Sequence, residues 1–109
     1  MSSAHAAALV AAGALFASAA HAQTRFSPQQ IDGGHKQFDR TCAQCHGHNM
    51  VNSGTTVYDL RRFPVDQFDR FFTSVTNGKG NMPSFKDALT QEQIELLWCY
   101  VSSRGGKEP

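Results

Sequence analysis

Cys42, Cys45 and His46 stand in the run Cys42-Ala43-Gln44-Cys45-His46. Two thiols three positions apart can add to the two vinyl groups of a haem, and the adjacent histidine then falls under the iron as an axial ligand. This C-x-x-C-H run is the attachment signature of a c-type haem, one per chain, bound covalently through Cys42 and Cys45. The same pair of cysteines could serve as a redox dithiol or as half of a zinc site. A structural zinc site takes four ligands, and the sequence holds no second C-x-x-C and no H-x-x-x-H. The histidine directly after Cys45 favours haem over a dithiol.

His46 supplies one axial bond to the iron. The candidates for the other are methionine, a second histidine or an open position. Met50 is four residues past His46, too close to cross easily to the opposite haem face. Met82 lies 36 residues downstream (82 − 46) in Gly78-Lys79-Gly80-Asn81-Met82-Pro83. Glycine lets a backbone approach the macrocycle closely, and proline stiffens the loop. A thioether held there gives His46/Met82 ligation, which raises the reduction potential. Met82 as a core filler is the plainer alternative, but a Gly/Pro-rich loop suits that role poorly. His35, seven residues before Cys42, reads as a solvated surface residue, and His48 as a surface or haem-edge contact. Either one in place of Met82 would make the site bis-histidine, with a lower potential.

Three helices must position these groups. The first starts at Ser27 as N-cap, with Pro28 in the first position and Gln30 completing a capping box. Phe26 and Ile31 form its hydrophobic staple, and it runs to about Thr41, delivering Cys42 at its end. Phe68, Phe71, Phe72 and Val75 follow the i, i+3, i+4, i+7 pattern and predict a helix over about Val65 to Thr76, ended by Asn77-Gly78. The last helix repeats the capping box with Thr90 and Gln93, takes Leu89 and Ile94 as its staple, and reaches about Ser103. Ile94, Leu97, Trp98 and Val101 share one face of it. Cys99 falls about 140° from Ile94, between Glu92 and Glu95, which predicts a half-covered surface thiol away from the haem and open to intermolecular pairing. Gly47 to Phe63 lacks periodicity and reads as a functional loop wrapping one haem edge. The fold class is therefore all-α, three or more helices around one haem, with no convincing strand.

Residues 1–22 read as a signal peptide. The run from Ala6 to Ala20 is apolar, and Ala20-His21-Ala22 is an A-x-A cleavage site, although no Lys or Arg precedes the run. It is shorter and more alanine-rich than the roughly 20 strongly apolar residues a membrane span needs. Cleavage leaves 87 residues (109 − 22), one domain over 23–109, expected in the periplasm as a monomer with no membrane span. A core that small is thin, and a covalent haem would complete it. All ten Lys/Arg and all nine Asp/Glu follow Ala22, so the domain is near neutral, and no basic run points to nucleic acid.

Taken together, the chain from Ser27 to Arg104 resembles a class I monohaem cytochrome c. The resemblance runs through Gly34-x-x-x-Phe38-x-x-x-Cys42, the haem motif, the Asn77-to-Met82 loop and Leu97-Trp98-Cys99-Tyr100-Val101. It implies a cytochrome c-like fold in which the first and last helices cross closely, so that Gly34 and Phe38 meet Trp98 or Tyr100. The proline that usually follows the haem motif, and whose carbonyl holds the histidine's other nitrogen, is absent, which leaves the acceptor for His46 unassigned. Gly47 to Asn52, followed by Asp59-Leu60-Arg61-Arg62-Phe63-Pro64, is more loosely similar to small periplasmic cytochromes that accept electrons from quinoprotein alcohol dehydrogenases. Arg61 and Arg62 are candidates for pairing with haem propionates, because guanidinium matches carboxylate geometry. Their alternative is a solvated basic pair.

These residues point to an electron carrier rather than an enzyme, working between redox proteins, with a dehydrogenase as donor and an oxidase or another cytochrome as acceptor. A six-coordinate iron has no open position for substrate, and no nucleophile–base pair, phosphate loop or paired-carboxylate motif is present. The alternatives are a haem enzyme or gas sensor with an open distal site, which requires Met82 not to bind, and a fixed cytochrome subunit of a dehydrogenase.

Overall fold

The computed structural model describes residues 24–52, 54 and 56–109, so the expected leader at 1–22 lies outside the described residues. Among the described residues four helices follow in order: α1 (Pro28–Thr41), α2 (Ala43–His46), α3 (Phe68–Asn77) and α4 (Gln91–Ser102). Two 3₁₀ turns, His48–Met50 and Leu60–Arg62, lie between α2 and α3. Among the described residues there is no strand, only an isolated bridge between Lys79 and Met82. The protein is all-α, as the pattern predicts.

Both capping boxes form. Ser27 Oγ accepts from the Gln30 amide at 3.1 Å while Gln30 Oε1 accepts from the Ser27 amide at 2.9 Å. Thr90 and Gln93 repeat the exchange at 3.1 and 2.8 Å. The staple residues Phe26, Ile31, Leu89 and Ile94 all join the core. α3 begins three residues later than its apolar period suggests. Pro64–Gln67 makes a separate turn (Gln67 N–H to Pro64 O, 3.2 Å), and Val65, 45% exposed, gains no burial that would extend the helix. The stretch expected to be a structureless loop contains the two 3₁₀ turns and follows a short helix. These pieces of three or four residues are too brief to show a period.

α1 and α4 form the main packing contact of the fold. A Cβ on Gly34 would collide with the Leu96 carbonyl and lie 2.9 Å from Tyr100 Cβ, so the crossing needs glycine there. Phe38 packs on Tyr100 with ring centroids 5.1 Å apart. The partner of Gly34 and Phe38 is therefore Tyr100. Trp98 points the other way, into Phe63, Phe68 and Phe71 at 5.9, 5.6 and 5.1 Å.

From Leu97 to Ser102 every residue of α4 is buried, which corrects two expectations. Cys99 is buried, 5% exposed, rather than half-covered. Nearby, Arg25 ties the segment before α1 to the end of α4 and to the last residues: Arg25 Nη2 donates to Ser102 O at 2.8 Å, and the Arg25 amide to Pro109 O at 2.8 Å. A helical wheel counts only the residues of α4 itself, so it could not show that this flank is packed as well. His35 is not simply solvated: its ring stacks on Tyr100 at 4.5 Å with planes 5° apart, and Nε2 lies 3.6 Å from Asp39.

Candidate haem site

The end of α1 and the whole of α2 present the attachment motif. The chain passes from one helix to the next at Cys42, whose carbonyl accepts from the amides of Cys45 (3.2 Å) and His46 (2.9 Å). One tight turn therefore carries both thiols and the imidazole. Gly47 then reverses the chain at φ 83°, where a Cβ would strike the Val51 carbonyl. Only glycine takes that conformation freely.

Met82 comes from a loop hung on the far end of α3. Gly78 caps the helix at φ 79°. Lys79 and Met82 exchange backbone hydrogen bonds at 3.0 Å in both directions, Ser84 Oγ donates to Thr76 O at 2.5 Å, and the Phe85 amide donates to Val75 O at 3.0 Å. The loop is thus closed on itself at Lys79 and Met82 and tied back to α3 at two points, Thr76 and Val75, and Met82 is half-buried against the core.

Cys42, Cys45, His46 and Met82 all line one cavity of about 640 Å³. Its apolar wall includes Phe38 from α1, Phe71 and Val75 from α3, and Leu97 and Val101 from α4. A volume in the range of about 300–1,000 Å³ suits a cofactor. An apolar chamber with two thiols, an imidazole and a thioether at its wall fits a flat apolar macrocycle attached by thioethers. Met50 does not line it; it is buried elsewhere, its methyl 3.7 Å from where a Gly105 Cβ would sit. His35 and His48 are also outside the lining, and His48 Nδ1 stands 3.8 Å from Asp39.

The electrostatics of the site follow from its burial. Burial, with Cys45 beside it, pushes the free Cys42 thiol up to about 12. Burial also lowers the His46 pKa, and the Tyr58 carbonyl partly opposes it. The neutral imidazole is the form that binds a metal. Its Nδ1 lies 3.3 Å from Tyr58 O. That carbonyl fills the acceptor role that the absent proline left open. No sequence signal marks it, since every residue carries a carbonyl.

Arg61 and Arg62 do not line the cavity. Arg61 is held by Asp59 through Nε and Nη2, both at 2.9 Å, and that pairing lowers the Asp59 pKa. Arg62 is 84% exposed. The arginine at the cavity wall is Arg70, on α3 beside Phe71 and four residues before Ser74, both of which also line the cavity. That face of α3 was its only signal in the sequence.

Comparison with known proteins agrees with this chemistry. The family described as "Cytochrome C oxidase, cbb3-type, subunit III" matches residues 29–101. The chain is similar to cytochrome c6 of Gloeothece citriformis, 40% identical over 78 residues that cover 68% of this chain and 71% of that protein. It is similar to cytochrome c6 of Rippkaea orientalis, 44% identical over 72 residues, 62% of this chain and 65% of that one. It also matches the quinohemoprotein alcohol dehydrogenase ADH-IIG of Pseudomonas putida, 37% identical over 76 residues, 68% of this chain but 10% of the dehydrogenase.

Proposed function

This chain belongs to the cytochrome c family and carries one covalently attached haem, and on that premise we propose that it carries single electrons through a haem ligated by His46 and Met82. The observation that supports this most is the meeting of His46 and Met82, from separate elements, at one apolar cavity whose wall also holds Cys42 and Cys45. When bound, the haem supplies a ferric/ferrous couple whose potential is set by its axial ligands and surroundings.

The chain's residues do the rest. Cys42 and Cys45 hold the cofactor as thioethers. His46 binds through Nε2 while Nδ1 donates to Tyr58 O, which fixes the tautomer and the ring orientation. Met82, stiffened by the ties of its loop to α3, would supply the second ligand to the iron. Phe38, Phe71, Leu97 and Val101 exclude water, so little reorganises when the charge changes.

The finer assignments follow the relatives. The donor is a quinoprotein dehydrogenase, as the similarity to part of the Pseudomonas putida enzyme suggests, and the acceptor is an oxidase, as the family description suggests. Residues 1–22 export the chain to the periplasm and are removed, leaving the domain from 23 to 109. Among the described residues no helix is long and apolar enough to cross a membrane. The dehydrogenase match also favours a second reading, a cytochrome bound permanently to such an enzyme. Co-purification from the native host as a stoichiometric complex would establish that form.

A spectroelectrochemical titration of the holoprotein tests the carrier reading. The expected result is one reversible one-electron wave, moved to lower potential in Met82→His with six-coordination kept. A Met82→His variant with the wild-type potential would remove Met82 from the iron.

A further inference from the structure

The Tyr58 carbonyl that faces His46 Nδ1 belongs to the connection between α2 and α3, and a loop carbonyl orients an imidazole only as well as the loop is held. Asn52 Nδ2 donates to Val57 O at 2.9 Å on one side. On the other, the Tyr58 ring meets the edge of Phe63 at 6.0 Å, and Phe63 is itself buried against Phe71 and Trp98 at 5.7 and 5.9 Å. Burial does not hold Tyr58, which is 48% exposed. Its contacts do: Tyr58 Oη donates to Arg62 O at 3.4 Å, and the Arg70 guanidinium lies 4.9 Å from the Phe63 ring centre and 5.9 Å from that of Tyr58. Gln67 Oε1 accepts from Arg70 Nη1 at 3.0 Å and orients the group. Arg61 and Arg62 stand beside Asp59, whereas among the described residues Arg70 has no carboxylate within ion-pair distance. Its contacts are Gln67 and the two rings.

We propose that Arg70 is a positioning residue for the haem ligand: by spanning Phe63 and Tyr58 it holds the Tyr58 carbonyl against His46 Nδ1. The proposal rests on His46 being the proximal ligand. The flat guanidinium is suited to covering two rings, which a lysine ammonium is not. A firm hydrogen bond at Nδ1 raises the basicity of the imidazole toward the iron and so favours the ferric state.

Arg70 also lines the cavity, where it could act merely as a positive charge near the iron, and the two roles predict opposite shifts. Loss of positioning weakens the Nδ1 bond and raises the reduction potential. Loss of a bare positive charge favours ferric iron and lowers it. The test uses holoprotein carrying Arg70→Ala and Arg70→Lys, with redox titration and NMR of the hyperfine-shifted His46 Nδ1–H. The expected result is Nδ1–H exchange with solvent about tenfold faster in Arg70→Ala, a raised midpoint, and Arg70→Lys shifted in the same direction although its charge is kept. A lowered midpoint in Arg70→Ala with unchanged exchange, or wild-type behaviour in Arg70→Lys, overturns positioning in favour of a bare charge. Absence of any hyperfine-shifted His46 ring resonance in the wild type, carbon-bound protons included, overturns the ligand reading itself. Its presence with no change in either variant overturns only the role of Arg70.

Discussion

Cys99 is the free cysteine outside the attachment motif, and its surroundings decide its chemistry. Burial raises its thiol pKa, with Glu95 adding to the effect and Arg25 opposing it. The nucleophile is the thiolate, so a buried thiol with a raised pKa reacts slowly. In the folded holoprotein, Cys99 is expected to resist an impermeant thiol reagent and to give no dimer on non-reducing gels. Both behaviours should reverse in denaturant. Rapid labelling of the native protein would mean that Cys99 is not buried in the holoprotein as it is here. At this scale, legibility tracked how local the cause was. Cys42, Cys45 and His46 announce themselves because their chemistry needs a fixed spacing. The side-chain roles of Arg61 and Arg70 depend on which neighbour lies within a few ångströms, and Asp59, two residues from Arg61, takes the first of them.

Gly33 and Gly34 are adjacent in α1, yet they do different work. A methyl on Gly34 would meet the Leu96 carbonyl and Tyr100 Cβ, at the point where α1 and α4 touch. Backbone cannot yield cheaply, and overpacking of this kind costs about 1–3 kcal/mol. A methyl on Gly33 would sit 3.6 Å from Leu96 Cδ1, an ordinary contact. There the helix propensity of alanine dominates, a gain of up to about 1 kcal/mol. Denaturant unfolding of the two holoproteins should therefore move in opposite directions: Gly34→Ala to lower midpoints, Gly33→Ala to equal or higher ones. Parallel losses would show that the crossing needs both glycines. α1 and α4 were readable end to end because capping boxes are local hydrogen-bond exchanges written three residues apart. α2 and the turns at His48–Met50 and Leu60–Arg62 were not. Short helices gain little from their own sequence, and Asn49 and Met50 take left-handed backbone angles, φ 57° and 62°, that their types do not advertise.

Among the described residues the molecule is a frame of three principal helices around a cavity, which α2 and the α3–α4 connection also line. The α2 turn brings the attachment motif, and the α3–α4 connection brings Met82. The segment before α1 and the last residues meet at the end of α4, through Arg25, Ser102 and Pro109. The fold class was legible because apolar period and caps repeat along the chain. The closure of the cavity was legible only through the Gly/Pro composition of the Met82 loop. Electron transfer without substrate chemistry requires that both axial positions be filled from within the chain, and this separates a carrier from a haem enzyme or gas sensor. Addition of carbon monoxide to the reduced holoprotein, followed by absorption spectroscopy, tests that requirement directly. The wild type is predicted to show no carbon monoxide complex while Met82→Ala forms one readily. Rapid binding of carbon monoxide by the wild type would contradict closure by Met82 and, with it, the assignment as a simple electron carrier.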